Sequence, residues 1–538
     1  MRKIGIVAAV ALCLALALPA AAELQTVTID GSIQIRANYY SATAVSNGGV
    51  GVVRGAAGGP GIALRWPGFF LPARPIGSLA SGGFGLNSIS SAFSWNSDKP
   101  DLSFVEQRTR LGFTADFTND VSAYIELDSY DLWGQDFRSN YITGLDSAAV
   151  SNDDVEVYQA YVEAREMFGY PLTLRIGRQE LSYGSEWLIG TNDTSSFFTG
   201  LSFDGVKLRY ATDMFSLDAF YTILAENSPI EQDGDVTFAG LYGSYLGLED
   251  ITIDAYALWL RDPRSINDTN FVWFVEGLEN LFGVDDYDVT NIYTFGLRGA
   301  GTIGAFDFEA EAAYQTGDEN QQGSTFRPFG LYGDDDLNVN QWAGNLEVGY
   351  TFDMQMTPRV FLGGAYFGGE DNRDVNFWQW INPFDRPNGS ASFNRLFSNW
   401  EYSEFLDATD LSNAWIGRGG VSFSPTETVD VLLTVSYFQT DEPFDAPVYF
   451  KLGRYRVPIA PALSFWTREN DDSLGWETGL YVTYNYSEDL SFQVGWAHLF
   501  TGDGLKEGNF SNGNGLLFNG GSSDDDADYL YFQTKISF

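Results

Sequence analysis

Val27-Thr28-Ile29-Asp30-Gly31-Ser32-Ile33-Gln34-Ile35-Arg36-Ala37-Asn38 is the stretch from which the fold can be read. Val27, Ile29, Ile33, Ile35 and Ala37 share one parity; Asp30, Ser32, Gln34, Arg36 and Asn38 share the other. Successive side chains of a strand point to opposite faces, so a period of two describes a strand with one apolar and one polar side. The pattern returns where Phe306, Phe308, Ala310, Ala312 and Tyr314 alternate with Asp307, Glu309, Glu311 and Gln315. It returns again where Val429, Val431, Leu433, Val435 and Tyr437 alternate with Asp430, Thr434 and Ser436.

Eighteen such segments are predicted, beginning near residues 25, 103, 120, 155, 172, 203, 215, 236, 250, 291, 305, 341, 358, 412, 428, 473, 489 and 527. The connections alternate in kind. Tight ones include Thr118-Asn119-Asp120, Ala211-Thr212-Asp213, Ser424-Pro425-Thr426-Glu427 and Ser487-Glu488-Asp489. Long ones cover about 41–102, 135–154, 181–202, 225–235, 262–290, 317–340, 369–411, 439–472 and 501–526. An even strand number with short turns at one end and long loops at the other describes a transmembrane barrel with periplasmic turns and extracellular loops. In hydrocarbon every backbone N–H and C=O needs a partner, so a spanning sheet must close on itself. The fold expected is therefore all-β: a closed antiparallel 18-stranded barrel, apolar parity to lipid and polar parity to the lumen. Leu530, Phe532, Ile536 and Phe538 alternate with Tyr529, Tyr531, Gln533 and Lys535 at the chain end. A soluble propeller would show a repeat of roughly 40–50 residues, and none is found. A large sandwich would not need apolar aromatics on one face of nearly every strand.

Residues 1–22 read as a secretory leader: Arg2 and Lys3, an apolar run from Ile4 to Leu18, then Pro19 and Ala20-Ala21-Ala22 before Glu23. The run is too short to span a bilayer comfortably as a helix. Residues 23–538 are then one barrel domain. Cys13, the only cysteine, leaves with the leader, which excludes disulfides, thiolate metal sites and cysteine nucleophiles from the mature part. Aromatics reach 16%, which favours strands. Removal of Arg2 and Lys3 leaves 72 acidic residues against 28 basic ones, so no general basic surface exists for nucleic acid.

Leu174-Arg175-Ile176-Gly177-Arg178-Gln179, then Tyr183-Gly184, then Phe203-Asp204-Gly205-Val206-Lys207-Leu208 resemble the core of the alginate export family. Gln107-Arg108-Thr109-Arg110-Leu111, Trp133-Gly134, Glu309 through Gln315-Thr316-Gly317 and Leu474-Gly475-Trp476-Glu477 resemble it in the same order. The resemblance implies an eighteen-stranded outer-membrane barrel without a catalytic site, whose best-known member exports the polyanion alginate through a lumen lined with arginine. A terminal strand ending in Phe538 likewise resembles the sorting signal such barrels present to their assembly machinery.

Parity nominates the lumen side chains. Arg36, Arg108, Arg110, Arg175, Lys207, Arg209, Arg298, Arg359, Arg418 and Lys535 carry positive charge there. Glu106, Asp116, Glu126, Asp128, Glu163, Asp218, Asp254, Glu309, Glu311, Glu347, Asp430 and Glu477 carry negative charge. Arginine's planar fork suits carboxylates, and rings of Arg or Lys select anions. The competing reading is that these groups neutralise one another and fill the barrel. Arg178 falls on the lipid parity: either Gly177 is a bulge that turns it inward or it sits at the outer rim, and the family motif, which keeps arginine there, favours inward. The runs Asp285-Asp286, Asp334-Asp335-Asp336, Glu370-Asp371, Asp471-Asp472 and Asp524-Asp525-Asp526 read as solvated acidic loops, without the strict spacing of a calcium loop.

His498, the only histidine, lies on the lipid parity near a strand end, where it reads as interfacial and not as a base. Neither enzymatic chemistry, a metal nor a cofactor is expected. Three functions are open: a channel for anionic polysaccharide or uronate oligomers, a general or cation-preferring porin for small solutes, and a surface-binding or structural barrel plugged by its loops. Expected partners are outer-membrane lipid, anionic polysaccharide or small anionic solutes, the barrel assembly machinery through Phe538, and a periplasmic export scaffold; nucleic acid is not one. Loop 41–102, rich in Gly and Pro, is a candidate gate.

Overall fold

The computed structural model describes residues 23–41, 101–133, 155–191, 200–225, 235–262, 289–319, 337–369, 393–406, 412–443, 471–504 and 526–538, with short loop elements at 43–45, 93–95, 139–140, 145–146, 322–327, 330–334, 377–381, 445–452, 455–460 and 467–469. The leader, nearly all of loop 41–102 and most of the acidic loop runs lie outside the described residues.

One eighteen-stranded antiparallel sheet forms the molecule. Its strands are β1 Leu24–Tyr40, β2 Leu102–Phe117, β3 Val121–Leu132, β4 Glu156–Ala164, β5 Leu172–Gln179 and β6 Phe203–Ala211. Then come β7 Phe215–Ala225, β8 Val236–Leu248, β9 Ile251–Asp262, β10 Thr290–Ile303, β11 Phe306–Glu319 and β12 Leu337–Thr351. The last six are β13 Arg359–Phe367, β14 Ala414–Thr426, β15 Val429–Thr440, β16 Ser473–Asn485, β17 Leu490–Thr501 and β18 Ala527–Ser537. Each strand pairs with its neighbours in sequence, and β1 closes the ring on β18 with Arg36 opposite Gln533. Phe538 continues that seam: its N–H and C=O bond Gly31 at 3.0 and 2.9 Å. A Cβ on Gly31 would meet the Phe538 ring at 2.8 Å, so glycine makes room for it there.

The strand starts agree with the alternation, except that β12 begins at Leu337 instead of near 341, pairing Asn340 with Thr316 and Asn338 with Asp318. Consecutive left-handed residues, Asn119 at φ 66 and Asp120 at φ 56, make the β2–β3 connection the kind of tight turn that matches strand twist.

The two parities separate as expected. Ile29 is 60% exposed and Leu297 64%, whereas Arg36 and Arg108 are 1% and 2% exposed. Outside, Trp259–Tyr293, Tyr314–Trp342, Tyr366–Trp415 and Tyr437–Trp476 pair across adjacent strands near the loop end. Their polar tips reach amides and carboxylates, as Trp259 does Asn291 and Trp415 does Asp441. Tyr210–Phe215 and Phe306–Tyr350 do the same duty near the turn end. Aromatic bands at both ends of an apolar wall are the interfacial girdles of a membrane barrel. The inner wall is not uniformly polar. Phe238, Leu260, Ile292, Phe367, Phe438, Leu499 and Tyr529 are buried inward near the loop end. Something apolar must fill the lumen at that height.

Candidate functional site: the lumen wall and its constriction

Cross-strand register decides the wall's electrostatics. Arg298 stands opposite Asp254 on β9 and Glu311 on β11. Its guanidinium lies 2.8 Å from Asp254, 3.0 Å from Glu309 and 3.9 Å from Glu311. Arg359 lies 2.5 Å from Asp307 and 2.9 Å from Glu347. Arg108 lies 2.6 Å from Asp128. Arg110 lies 2.6 Å from Glu126 and 3.1 Å from Glu180, while its Cζ sits 4.6 Å over the Tyr158 ring. Arg175 lies 2.6 Å from Glu163, which Arg165 shares at 2.7 Å. Arg209 is only loosely paired, 3.6 Å from Asp218. Most of the nominated lumen arginines are thus neutralised by the nominated carboxylates, as the competing reading requires.

Three of the nominated cations, Lys207, Arg418 and Lys535, have no ion pair among the described residues. Lys207 lies opposite Arg175 on β5 and Phe220 on β7, so register brings it a second cation and no acid. Arg418 lies opposite Gly363 and Ser436. Lys535 lies opposite Gln34 and Ser491. Arg165, Arg175, Lys207 and Arg209 together face Glu163 and Asp218, leaving a positive strip on β4–β6 toward the turn end.

Arg178 corrects the motif-based expectation. It points outward and forms a two-point pair with Asp204, 2.8 and 2.9 Å, with Arg178 45% and Asp204 55% exposed. Gly177 does adopt φ +132, yet the ladder runs through it without a shift, Tyr161 opposite Gly177 and Ala160 opposite Arg178. A Cβ there would meet the Ala160 carbonyl at 2.2 Å. The glycine allows close strand approach; it does not turn the next side chain. The bulge is in β4, where Glu126 faces Gln159 but Leu127 faces Val157, and Tyr158 is thereby buried.

The loop end of the lumen is filled by two loops. Residues 181–189 of the β5–β6 loop and 393–406 of the β13–β14 loop carry Leu181, Trp187, Leu188, Ile189, Phe393, Leu396, Phe397, Phe405 and Leu406, all buried. Apolar loops of this kind have no stable place in water, and the apolar inner wall receives them. The loops also bind each other. Gly190 donates to the Phe397 carbonyl at 2.8 Å and Phe397 to Leu188 at 2.9 Å, a parallel bridge between Ile189 and Phe397. Trp187 Nε1 donates to the Tyr402 hydroxyl at 2.9 Å, Trp400 Nε1 to the Ser185 carbonyl at 2.6 Å, and Asn399 to Glu186.

The β13–β14 loop reaches across the ring. Phe397 packs edge-on to Phe203 of β6 and Phe238 of β8, each at 4.9 Å. Gln315 of β11 exchanges two hydrogen bonds with the Asn394 backbone, 2.7 and 2.8 Å. Tyr402 donates to Asn345 of β12 at 3.1 Å. At the far side Glu477 of β16 accepts from Ser403 Oγ at 2.5 Å and Glu404 N at 2.9 Å, Tyr481 donates to Glu404 at 3.0 Å, and Phe405 meets Tyr40 of β1. β8 and β16 are almost diametrically opposed in an eighteen-membered ring, so this segment is a bar across the lumen. The reading by alternation missed it, because alternation speaks only of strands. The signal was present as clustered Phe, Leu and Trp in two of the long loops. The candidate gate at 41–102 lies outside the described residues.

His498 is outward, between Trp496 and Phe500 on the same face, with Nδ1 2.8 Å from Asp528 Oδ1. Among the described residues no group of three or more His, Cys, Asp or Glu side chains is placed to hold a metal.

A model of the family described as alginate export matches residues 90–518. No curated protein matches. Among solved structures, Acinetobacter baumannii OccAB1 is similar at 11% identity, covering 95% of this chain and 97% of that one, with a TM-score of 0.47. Acinetobacter baumannii OccAB4 gives 10% identity, 96% and 99% coverage and 0.46. Pseudomonas aeruginosa OccK8 (OprE) gives 11%, 95%, 98% and 0.45.

Proposed function

The chain belongs to the alginate export family and is an outer-membrane channel, and from that premise we propose that it passes small organic anions, uronate oligomers among them, through a constricted lumen. The observation that carries this reading is the bar formed by residues 393–406 together with the positive strip left below it by Arg175, Lys207 and Arg209. A bar fixed at both walls favours solutes that fit beside it over an extended polymer. The excess of cations over carboxylates in that strip, Arg165, Arg175, Lys207 and Arg209 against Glu163 and Asp218, sets the field that an entering anion meets. On this reading the short turns lie in the periplasm and the long loops outside, and Phe538 is offered to the assembly machinery. Passage of the intact polysaccharide would require the bar to swing out.

Purified protein in planar bilayers tests this. The expected result is conductance with anion preference under a salt gradient and block by uronate oligomers. Strong cation preference without block overturns it in favour of a cation-preferring porin, for which lumen acids such as Asp430, without a cation partner among the described residues, supply the opposite field. Polymer transit without any change in the bar would favour the export of whole polysaccharide.

A further inference from the structure

A cavity of about 540 Å³ lies between the β13–β14 loop and the wall of β14–β18. It falls within the size range of small-molecule sites, roughly 300–1,000 Å³. Among the described residues, four carboxylates line it, Glu401, Glu404, Asp430 and Glu477, against the guanidinium of Arg418. Arg36 and Arg395 lie beyond the lining, 4.6 Å from the Tyr531 ring and 5.5 Å from the Tyr402 ring, and still leave the acids in excess. Two further acceptors are unspent. Asn399 donates its amide to Glu186 and Gln493 donates to Thr483 Oγ1, while the buried oxygens Asn399 Oδ1 and Gln493 Oε1 have no hydrogen-bond partner among the described residues. Asn399 is only 7% exposed. A buried acceptor without a donor is costly, so a ligand that brings N–H groups is favoured there.

Register sorts these groups into two ends. Asp430 stands opposite Thr483 on β16, and Thr483 opposite Gln493 on β17, so Asp430 and Gln493 share one cross-strand row toward the turn end. Glu477 stands opposite Ser436 in a second row. The bar, which Glu477 holds through Ser403 Oγ and Glu404 N, supplies Asn399, Glu401 and Glu404. From Asp430 to Ser436 is six residues of β15, about 20 Å at roughly 3.3 Å each. Between the rows the wall is aromatic. A Cβ on Gly479 would meet the Tyr481 ring at 2.7 Å, and one on Gly495 the Tyr531 ring at 2.1 Å, so each ring lies over a glycine along the wall.

A point charge does not suit this spread: among the described residues no three acids gather to hold a metal. A neutral sugar leaves the excess charge unanswered. A flexible chain with ammonium groups at its ends and methylenes between suits every part. Its ends donate to carboxylates and carbonyl oxygens, and its middle lies on phenol rings that favour cations.

We propose that this cavity holds a linear aliphatic polyamine of three or four amino groups, stretched from Asp430 and Gln493 to Glu477 and the bar. β14 is about half-way round the ring from the positive strip on β4–β6. The site therefore goes beyond the anion reading and does not depend on it. A bound polyamine neutralises the acid wall and leaves the strip to set the field.

Titration calorimetry on the detergent-purified full chain, with spermine, 1,4-diaminobutane and magnesium chloride at matched ionic strength, tests it. Spermine is expected to bind saturably at one per chain, and 1,4-diaminobutane about ten-fold or more weakly, because it reaches one end only. Asp430→Asn should weaken spermine by about ten-fold or more and Gln493→Leu by several-fold. Asp353→Asn, on the exposed β12–β13 turn, should change nothing. Heat-modifiable migration confirms that each variant is a folded barrel, and Gln493→Leu keeps the test alive if Asp430→Asn does not fold. Many weak sites indifferent to Asp430, an equal loss in Asp353→Asn, equal affinity for 1,4-diaminobutane, or displacement by equimolar magnesium overturns the site, leaving only the general attraction of an acidic chain for cations. Saturating spermine should also shift the reversal potential toward anions in the parent protein and not in Asp430→Asn. Asp430-dependent binding in a cation-preferring pore removes the anion reading alone; anion preference without such binding removes the site alone.

Discussion

Lys207 and Arg298 are both basic residues on the lumen parity, and register gives them opposite roles. Lys207 faces Arg175 and, although Asp218 and Glu163 are near, has no ion pair among the described residues. Lys207→Gln is therefore expected to move the reversal potential toward cations while leaving the urea midpoint nearly unchanged. Arg298 is 11% exposed and holds Asp254, Glu309 and Glu311. Arg298→Gln strands those acids, and breaking a buried pair costs about 3–5 kcal/mol, so its first effect should be a lower urea midpoint. A midpoint equal to that of the parent protein would show that water already screens the pair. Gly177 offers a third case. Its φ of +132 and the 2.2 Å approach of the Ala160 carbonyl leave no space for a methyl group. Gly177→Ala should cost about 1–3 kcal/mol of backbone strain, read as a lower unfolding midpoint. Arg178 was legible by parity as outward; the motif argument that drew it inward failed, because Asp204 lies directly opposite on the same outer face.

At the scale of elements, the strands were almost wholly legible and the loops were not. A strand advertises its two faces with every second residue, whereas a loop's destination depends on which surface will take its side chains. The 393–406 segment takes its position from Trp187, Gln315, Asn345 and Glu477, each on a separate element. Trp187 is fully buried against Phe367 and Phe393, at 5.6 and 6.4 Å, the three rings forming a cluster. Trp187→Ala should loosen the bar while the barrel still folds, because no strand hydrogen bond is touched. The expected readout is a several-fold rise in single-channel conductance with unchanged heat-modifiable migration; unchanged conductance would mean that the bar does not limit flow. The candidate binding residues divide the same way. Arg418 was named from parity, but its lack of an ion pair among the described residues follows from register, which sets Gly363 and Ser436 opposite it, and its closeness to Asn399 follows from loop placement.

For the whole molecule, closure is the governing fact. The β1–β18 seam has no turn to enforce it, so it depends on ladder bonds, on Arg36 bonding Gln533 at 2.6 and 2.9 Å, and on Phe538 pairing with Gly31. Deletion of Phe538 removes two of the seam's bonds and the ring over Gly31. It should reduce the fraction of folded barrel in membranes several-fold, measured by heat-modifiable migration; full recovery of folded protein would place the closing interaction elsewhere.

By itself the sequence determined an eighteen-stranded closed barrel, its alternation of turns and loops, and which side chains face inward. Those follow from a period of two and from the need to pair every backbone group in hydrocarbon. Only the tertiary structure decided that two apolar loops bar the lumen, that most lumen arginines are neutralised, and that Lys207, Arg418 and Lys535 have no ion pair among the described residues. Charge pairing is set by cross-strand register, and loop docking by contacts between residues some two hundred positions apart, such as Trp187 and Tyr402. Neither quantity is carried by local pattern.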